Sequence, residues 1–307
     1  MKTNENRIIA IAGPTAVGKT ALSLALAERL SGEIISSDSM QIYQGMDIGT
    51  AKPTEEEMAR IPHHLINIVS PSSQYSCADY ERDARRALED IRSRGKTPIF
   101  CGGTGLYLES VLYEGTLKSP EADEDLRRTL WEKSAEEVYR ELERVDPAAA
   151  ASMHMNNRKR VIRALEIYLI SGKTKTEWDA ENQRKTLIPG AELYVLTSSD
   201  REALYARIDR RVDLMMEAGL LDEVRRLSLD PETTAGQAIG YKEFYPYFRG
   251  EETLEEAVAR LKQASRHYAK RQLTWWERNP AAVKIDMASV TVEEALEGIV
   301  EGRYLVT

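Results

Sequence analysis

Cysteine is scarce: the 307 residues hold only Cys77 and Cys101. They are far apart and lack CxxC spacing, which excludes a disulfide framework and a cysteine zinc site, and four histidines do not supply the missing ligands. A reducing cytoplasm is the expected compartment. No apolar stretch approaches membrane-spanning length, and the polar start Met1-Lys2-Thr3-Asn4-Glu5-Asn6 lacks the apolar core of a signal peptide. Neither an internal repeat nor a low-complexity linker is present. Positive charge is in deficit as well, 42 Lys and Arg against 50 Asp and Glu for a formal net charge of −8. A uniformly basic nucleic-acid surface is therefore excluded.

What remains is a globular chain, with 42% hydrophobic residues for a core. Its charges are segregated. Acid collects at Glu55 to Glu57, Glu121 to Asp125 and Glu251 to Glu256. Base collects at Arg158-Lys159-Arg160 with Arg163, at Arg207, Arg210 and Arg211, and at Arg266, Lys270, Arg271 and Arg278. Such segregation permits a basic face on an acidic protein.

The most informative stretch is Gly13-Pro14-Thr15-Ala16-Val17-Gly18-Lys19-Thr20, a full match to the G-x-x-x-x-G-K-[ST] phosphate loop. The apolar run Ile8 to Ala12 precedes it and the helix-forming run Ala21 to Ala27 follows, the strand, loop and helix order that the motif requires. Gly13 and Gly18 let the backbone turn successive N–H groups toward an anion. The helix N-terminus, the Lys19 ammonium and the Thr20 hydroxyl, which can reach a metal ion bridging phosphate oxygens, complete the site. The motif predicts binding of a phosphate or diphosphate without saying what it is attached to.

Glu33 to Asp38 reads as a second buried strand, with Asp38 at its carboxyl end, where open α/β sheets place ligands. Asp38 there can hold magnesium, face an acceptor, or cap the local backbone beside Ser37 and Ser39. Gln41 to Pro53 is a Gly-rich functional loop. His63 to Val69 reads as a short strand whose adjacent histidines point to opposite faces and serve as scaffold. Cys77 to Arg94 is a helix with Ala84, Ala87, Leu88 and Ile91 on one face. Lys96 to Tyr107 repeats strand, glycine turn and helix, the turn serving either packing or a ligand. From Ala122 to Glu181 the pattern is helical. A strand returns at Glu192 to Thr197, followed by a helix capped by Asp200 on which Arg207 and Arg211 share a side, and by helices at 254–278 and 292–303. The expected fold is α/β: a phosphate-loop NTPase-like parallel sheet flanked by helices, built from 1–119 and 190–307, with an inserted all-helical subdomain at 120–189.

Several blocks of the chain then carry a family resemblance. The phosphate loop, Ser37 to Tyr43, Gly45 to Pro53, Pro62 to Ile66, Gly102-Gly103-Thr104-Gly105-Leu106-Tyr107, Arg163 to Glu166, Gln237 to Glu243 and Tyr268 to Trp275 resemble, in this order, the bacterial tRNA dimethylallyltransferase family. That resemblance implies transfer of the dimethylallyl group of dimethylallyl diphosphate to N6 of adenosine 37 beside the tRNA anticodon. The loop Gly13 to Thr20 would then hold the leaving diphosphate, aided by Lys19, Arg207, Arg211 and Mg2+ at Thr20. Asp38 would take a hydrogen bond or proton from the amine, and Thr104 would orient the acceptor. Implied tRNA contacts are Asp38, Ser39, Met40, Gln41 and Thr104 for the flipped base. Arg127, or Arg128 beside it, with Asn157, Arg158, Lys159, Arg160 and Val161, would meet the neighbouring loop, and Gln237, Gly240 and Lys242 the backbone. Two departures stand out: Asn67 replaces the aspartate usual after His-His-Leu-Ile, and no zinc-finger extension follows Arg278. Competing expectations are prenylation of free adenine nucleotides and a phosphate-loop kinase in which Arg207 and Arg211 imitate a lid. A monomer suffices for the chemistry, with no obligatory protein partner and no membrane.

Overall fold

The structure, a computed structural model, describes residues 7–114, 120–181 and 186–304; the polar start read above lies outside them. Six strands form one all-parallel sheet: β1 (Ile8–Ala12), β2 (Gly32–Ser36), β3 (His63–His64), β4 (Thr97–Cys101), β5 (Ala191–Thr197) and β6 (Ala282–Asp286), in the order β3-β2-β4-β1-β5-β6. β1 is wholly apolar and none of its residues is exposed, as a parallel strand covered by helices requires. The helices, in chain order, are α1 (Lys19–Leu30), α2 (Glu55–Arg60), α3 (Cys77–Ser93), α4 (Gly105–Leu112), α5 (Glu124–Glu132), α6 (Ala135–Val145), α7 (Pro147–Ala151), α8 (Arg158–Ser171), α9 (Lys175–Glu181), α10 (Arg201–Glu217), α11 (Leu220–Leu227), α12 (Tyr245–Phe248), α13 (Leu254–Glu277) and α14 (Val292–Val300).

Ile9, Ile11, Ile34 and Ile99 share one core with Leu22 and Leu26 of α1 and Ile299 of α14. α3 packs on β2, β4 and α4. Its apolar face is Tyr80, Ala84, Ala87, Leu88 and Ile91, and Ser76 with Asp79 forms a capping box at its start. The three loops that leave β1, β2 and β4 all open at the carboxyl edge of the sheet. Because chain connections run to opposite sides of β1, that edge carries a crevice at the reversal of strand order.

Three sequence expectations are corrected. The strand expected over 63–69 is only His63–His64, because Leu65 (φ 63) and Asn67 (φ 58) take left-handed conformations that end pairing. Strand β6 was not anticipated; it is short, alternates polar Lys284 with buried Ile285, and pairs along one side only. Helix α14 stops at Val300 rather than Arg303, where Glu301 caps it and Gly302 turns with φ 72.

The chain divides into two compact units, Met1–Leu112 with Leu187–Thr307, and Tyr113–Thr186. The helical unit thus begins before residue 120 and ends before 189. Ile188 N donates to Leu112 O at 2.8 Å, which ties the returning chain to the α/β unit, while Glu114 N donates to Thr186 O at 3.0 Å within the helical one. The helical unit holds its own core of Leu130, Val138, Leu142, Val161, Ile162 and Leu165.

Candidate active site

The site is assembled from the loops at the carboxyl edge of the sheet. Gly13 (φ 137) and Gly18 (φ 107) make the turns that bring the phosphate loop round to the first turn of α1. No side chain caps that helix start, so its N–H groups and dipole are directed at the space in front of the loop. Lys19 Nζ folds over the loop and donates to Gly13 O at 3.1 Å and Pro14 O at 2.7 Å. From α10, Arg211 Nη1 donates to Thr15 Oγ1 at 3.3 Å and Arg207 Nε to Ala16 O at 3.2 Å. The i, i+4 pair therefore reaches the phosphate loop.

A cavity of about 430 Å³ lies here, lined by Thr15, Lys19, Thr20, Asp38, Arg211 and Arg271 among others. Burial pulls the Lys19 ammonium down to about 8, with Arg211 pushing the same way and Cys101 and Asp38 opposing. Burial also lowers Arg211, and Asp38 opposes that shift. The Asp38 carboxylate is thus close enough to feel both cations. Its Oδ1 accepts from Met40 N at 2.9 Å, so Asp38 caps the local turn while lining the cavity. Thr104 Oγ1 accepts from Ser39 N at 3.0 Å, which ties the turn after β4 to the turn after β2. Tyr268 of α13 lines the same cavity, its phenol pushed up to about 12 by burial and by Asp38.

Sequence reasoning assigned no role to Gln272, yet this residue of α13 is 5% exposed, accepts from Thr15 N at 2.9 Å and donates to Gly103 O at 3.0 Å. One expectation changes as a result: the N–H of Thr15 is directed at Gln272 rather than at the open cavity. The only signal was its place in the Tyr268 to Trp275 block. Gln41 also differs, since its Oε1 accepts from Ser36 Oγ at 3.0 Å and its Nε2 donates to the carbonyls of Thr50 and Ala51. Its amide shapes the cavity wall. His63 Nδ1 meets Ile61 O at 2.7 Å and His64 Nε2 meets Glu33 Oε2 at 2.8 Å, both scaffold contacts. Asn67 Oδ1 accepts from the buried Lys52, which also pairs with Asp47 at 2.7 Å.

Gln237 and Lys242 are exposed and line the cavity. Gly240 is not available beside them: it is buried, and its N–H donates to Glu243 Oε2 at 2.8 Å. In the helical unit, Val161 is 1% exposed and belongs to the core, so its side chain cannot meet RNA. Arg127 is held by the buried Glu166, Nε to Oε1 at 3.0 Å. Arg158 lies over the Trp131 ring at 4.6 Å and donates to Trp131 O at 2.5 Å. Asn157, Lys159 and Arg160 are exposed. Two cations exposed in the first turn of α8 oppose the helix dipole, a cost that an external anion would offset.

The chain matches the family model described as IPP transferase over residues 41–279, and the model described as isopentenyl transferase over residues 6–67. It is 49% identical over 308 residues, 98% of each chain, to the tRNA dimethylallyltransferase of Bacillus velezensis, and 49% identical to that of Bacillus subtilis, covering 94% of this chain and 93% of the relative. Among solved structures, the tRNA isopentenylpyrophosphate transferase of Bacillus halodurans aligns with TM-score 0.72 at 44% identity over 97% of both chains. A eukaryotic dimethylallyltransferase acting on tRNA aligns with TM-score 0.84 at 33% identity over 97% of this chain and 80% of that one.

Proposed function

Because the chain belongs to the IPP transferase family, we propose that it transfers the dimethylallyl group of dimethylallyl diphosphate to N6 of the adenosine beside a tRNA anticodon and releases diphosphate. The observation that carries this reading is the convergence of Lys19, Arg211 and Asp38 on one cavity. Breaking an allylic C–O bond builds negative charge on the departing diphosphate. Half-buried cations and the uncapped start of α1 stabilise that charge more in the transition state than in the ground state.

The aromatic amine is a weak nucleophile, and Asp38 accepts its proton as the C–N bond forms at the allylic carbon. Thr104, tied to Ser39 beside Asp38, holds the acceptor side of the cavity in place. The target base must leave its stack to enter such a pocket. Lys159, Arg160, Gln237 and Lys242, all exposed, supply polar and cationic contacts to the RNA.

Thr20 fits a magnesium ion, because its hydroxyl belongs to the first turn of α1 and lines the cavity. No group of three or more His, Cys, Asp or Glu suited to a metal is found among the described residues. A single hydroxyl at the cavity suits an ion held otherwise by water and substrate phosphate oxygens. Bound there, the ion would neutralise part of the diphosphate charge.

The decisive experiment offers radiolabelled dimethylallyl diphosphate and magnesium to the protein with unmodified tRNA, AMP or ATP. Label on tRNA is expected. Label on mononucleotides alone, or ATP hydrolysis without transfer, would overturn the proposal.

A further inference from the structure

Glu223 of α11 is 4% exposed and lies outside the cavity lining, yet its carboxylate gathers three consecutive backbone N–H groups. Oε2 accepts from Asp47 N at 3.0 Å and Ile48 N at 2.9 Å; Oε1 accepts from Gly49 N at 3.0 Å and from the Tyr241 hydroxyl at 2.6 Å. Three N–H groups converging on one anion form the kind of concavity that elsewhere binds phosphate. Here the anion is supplied by the protein itself. Gly49 is required at the junction, because a Cβ there would stand 2.6 Å from the Tyr241 ring.

The two segments joined by this carboxylate both reach the cavity. Gly49, Thr50 and Ala51 line it from one strand-edge loop, and the carbonyls of Thr50 and Ala51 hold the Gln41 amide. Lys242, next to Tyr241 in sequence, lines it as well. The phosphate loop is fixed by different contacts, those of Gln272, Arg207 and Arg211.

We infer that Glu223 is a positioning residue for the acceptor: it clamps the 47–49 loop to Tyr241 and thereby sets the wall of the cavity against which the RNA base is held. The inference rests on the reading that the acceptor is tRNA. Glu223→Gln is a stringent test, because the new amide would turn an N–H donor toward donors and leave backbone groups unmatched. Its KM for tRNA should rise about tenfold or more, while kcat and the affinity for inorganic diphosphate with magnesium stay within about threefold of wild type. Tyr241→Phe, which removes one of the four partners, should show a smaller rise.

Amide exchange of Asp47, Ile48 and Gly49 supplies a readout independent of activity and should accelerate in Glu223→Gln. Leu296→Ala, in α14 and in a different hydrophobic core from the one around Tyr241 and Val224, serves as a control chosen for a comparable loss of melting temperature and should leave the tRNA KM unchanged. Unchanged exchange would overturn the clamp. Faster exchange with an unchanged tRNA KM, or an equal loss of diphosphate binding, would overturn the acceptor role. Wild-type protein that labels no tRNA would instead overturn the proposed function, while the exchange arm would still judge the clamp.

Discussion

The side-chain amide of Gln272 bonds the Thr15 N–H at 2.9 Å and the Gly103 carbonyl at 3.0 Å, so one residue of α13 holds the phosphate loop against the glycine turn that carries Thr104. Replacing it with Ala leaves both backbone groups without their partner in a buried place. Gln272→Ala should lower kcat/KM for prenyl transfer by about 10- to 100-fold through misplacement of the loop. Steady-state kinetics with saturating tRNA and varied dimethylallyl diphosphate would check this; an unchanged kcat/KM would show that the bridge is dispensable.

Asp38→Asn keeps an oxygen for the Met40 N–H and so preserves the local turn. It removes the proton acceptor. Turnover should fall by about 10²- to 10⁴-fold, with the Kd for tRNA within about twofold of wild type. Single-turnover transfer and filter binding separate the two. Weakened binding with normal single-turnover chemistry would make Asp38 a docking residue.

Lys19 links activity to pH. Its folded-state value of about 8 lies below its ordinary value of 10.5, so its contribution to folding stability is complete above 10.5 and lost as pH falls through about 8. The charged form that burdens the free protein at neutral pH is the form that attracts diphosphate. Affinity for inorganic diphosphate should therefore weaken as pH rises from about 7 to about 9, and Lys19→Arg, which stays charged, should flatten that dependence. Calorimetric titration across the range checks the sign.

The basic turn of α8 divides into structural and RNA-facing members. Lys159→Ala and Arg160→Ala should each weaken tRNA binding and reduce the slope of log K against log salt by about one. Arg158→Ala should instead lower the melting temperature, since its guanidinium packs on Trp131 and bonds backbone carbonyls. Salt-dependent binding and thermal unfolding of the three variants distinguish these outcomes.

The sequence by itself determined the phosphate loop, the burial of β1 and the helical character of the middle segment, because each depends on local spacing: glycines at fixed positions, a short apolar run, apolar residues one helical turn apart. It also placed Asp38 at the end of a strand and Thr104 in the glycine turn that follows one. Tertiary structure decided what local spacing does not encode. Gln272 and Glu223 look like ordinary helix residues in sequence, and their roles arise because distant backbone N–H groups converge on them once α13 and α11 dock. Val161 and Gly240 looked available and are buried by packing. Strand β6 is legible only beside β5, because an edge strand so short has too little apolar pattern of its own. Side-chain chemistry is written in the chain, but which groups meet is settled by burial and by the need to pair each buried donor and acceptor.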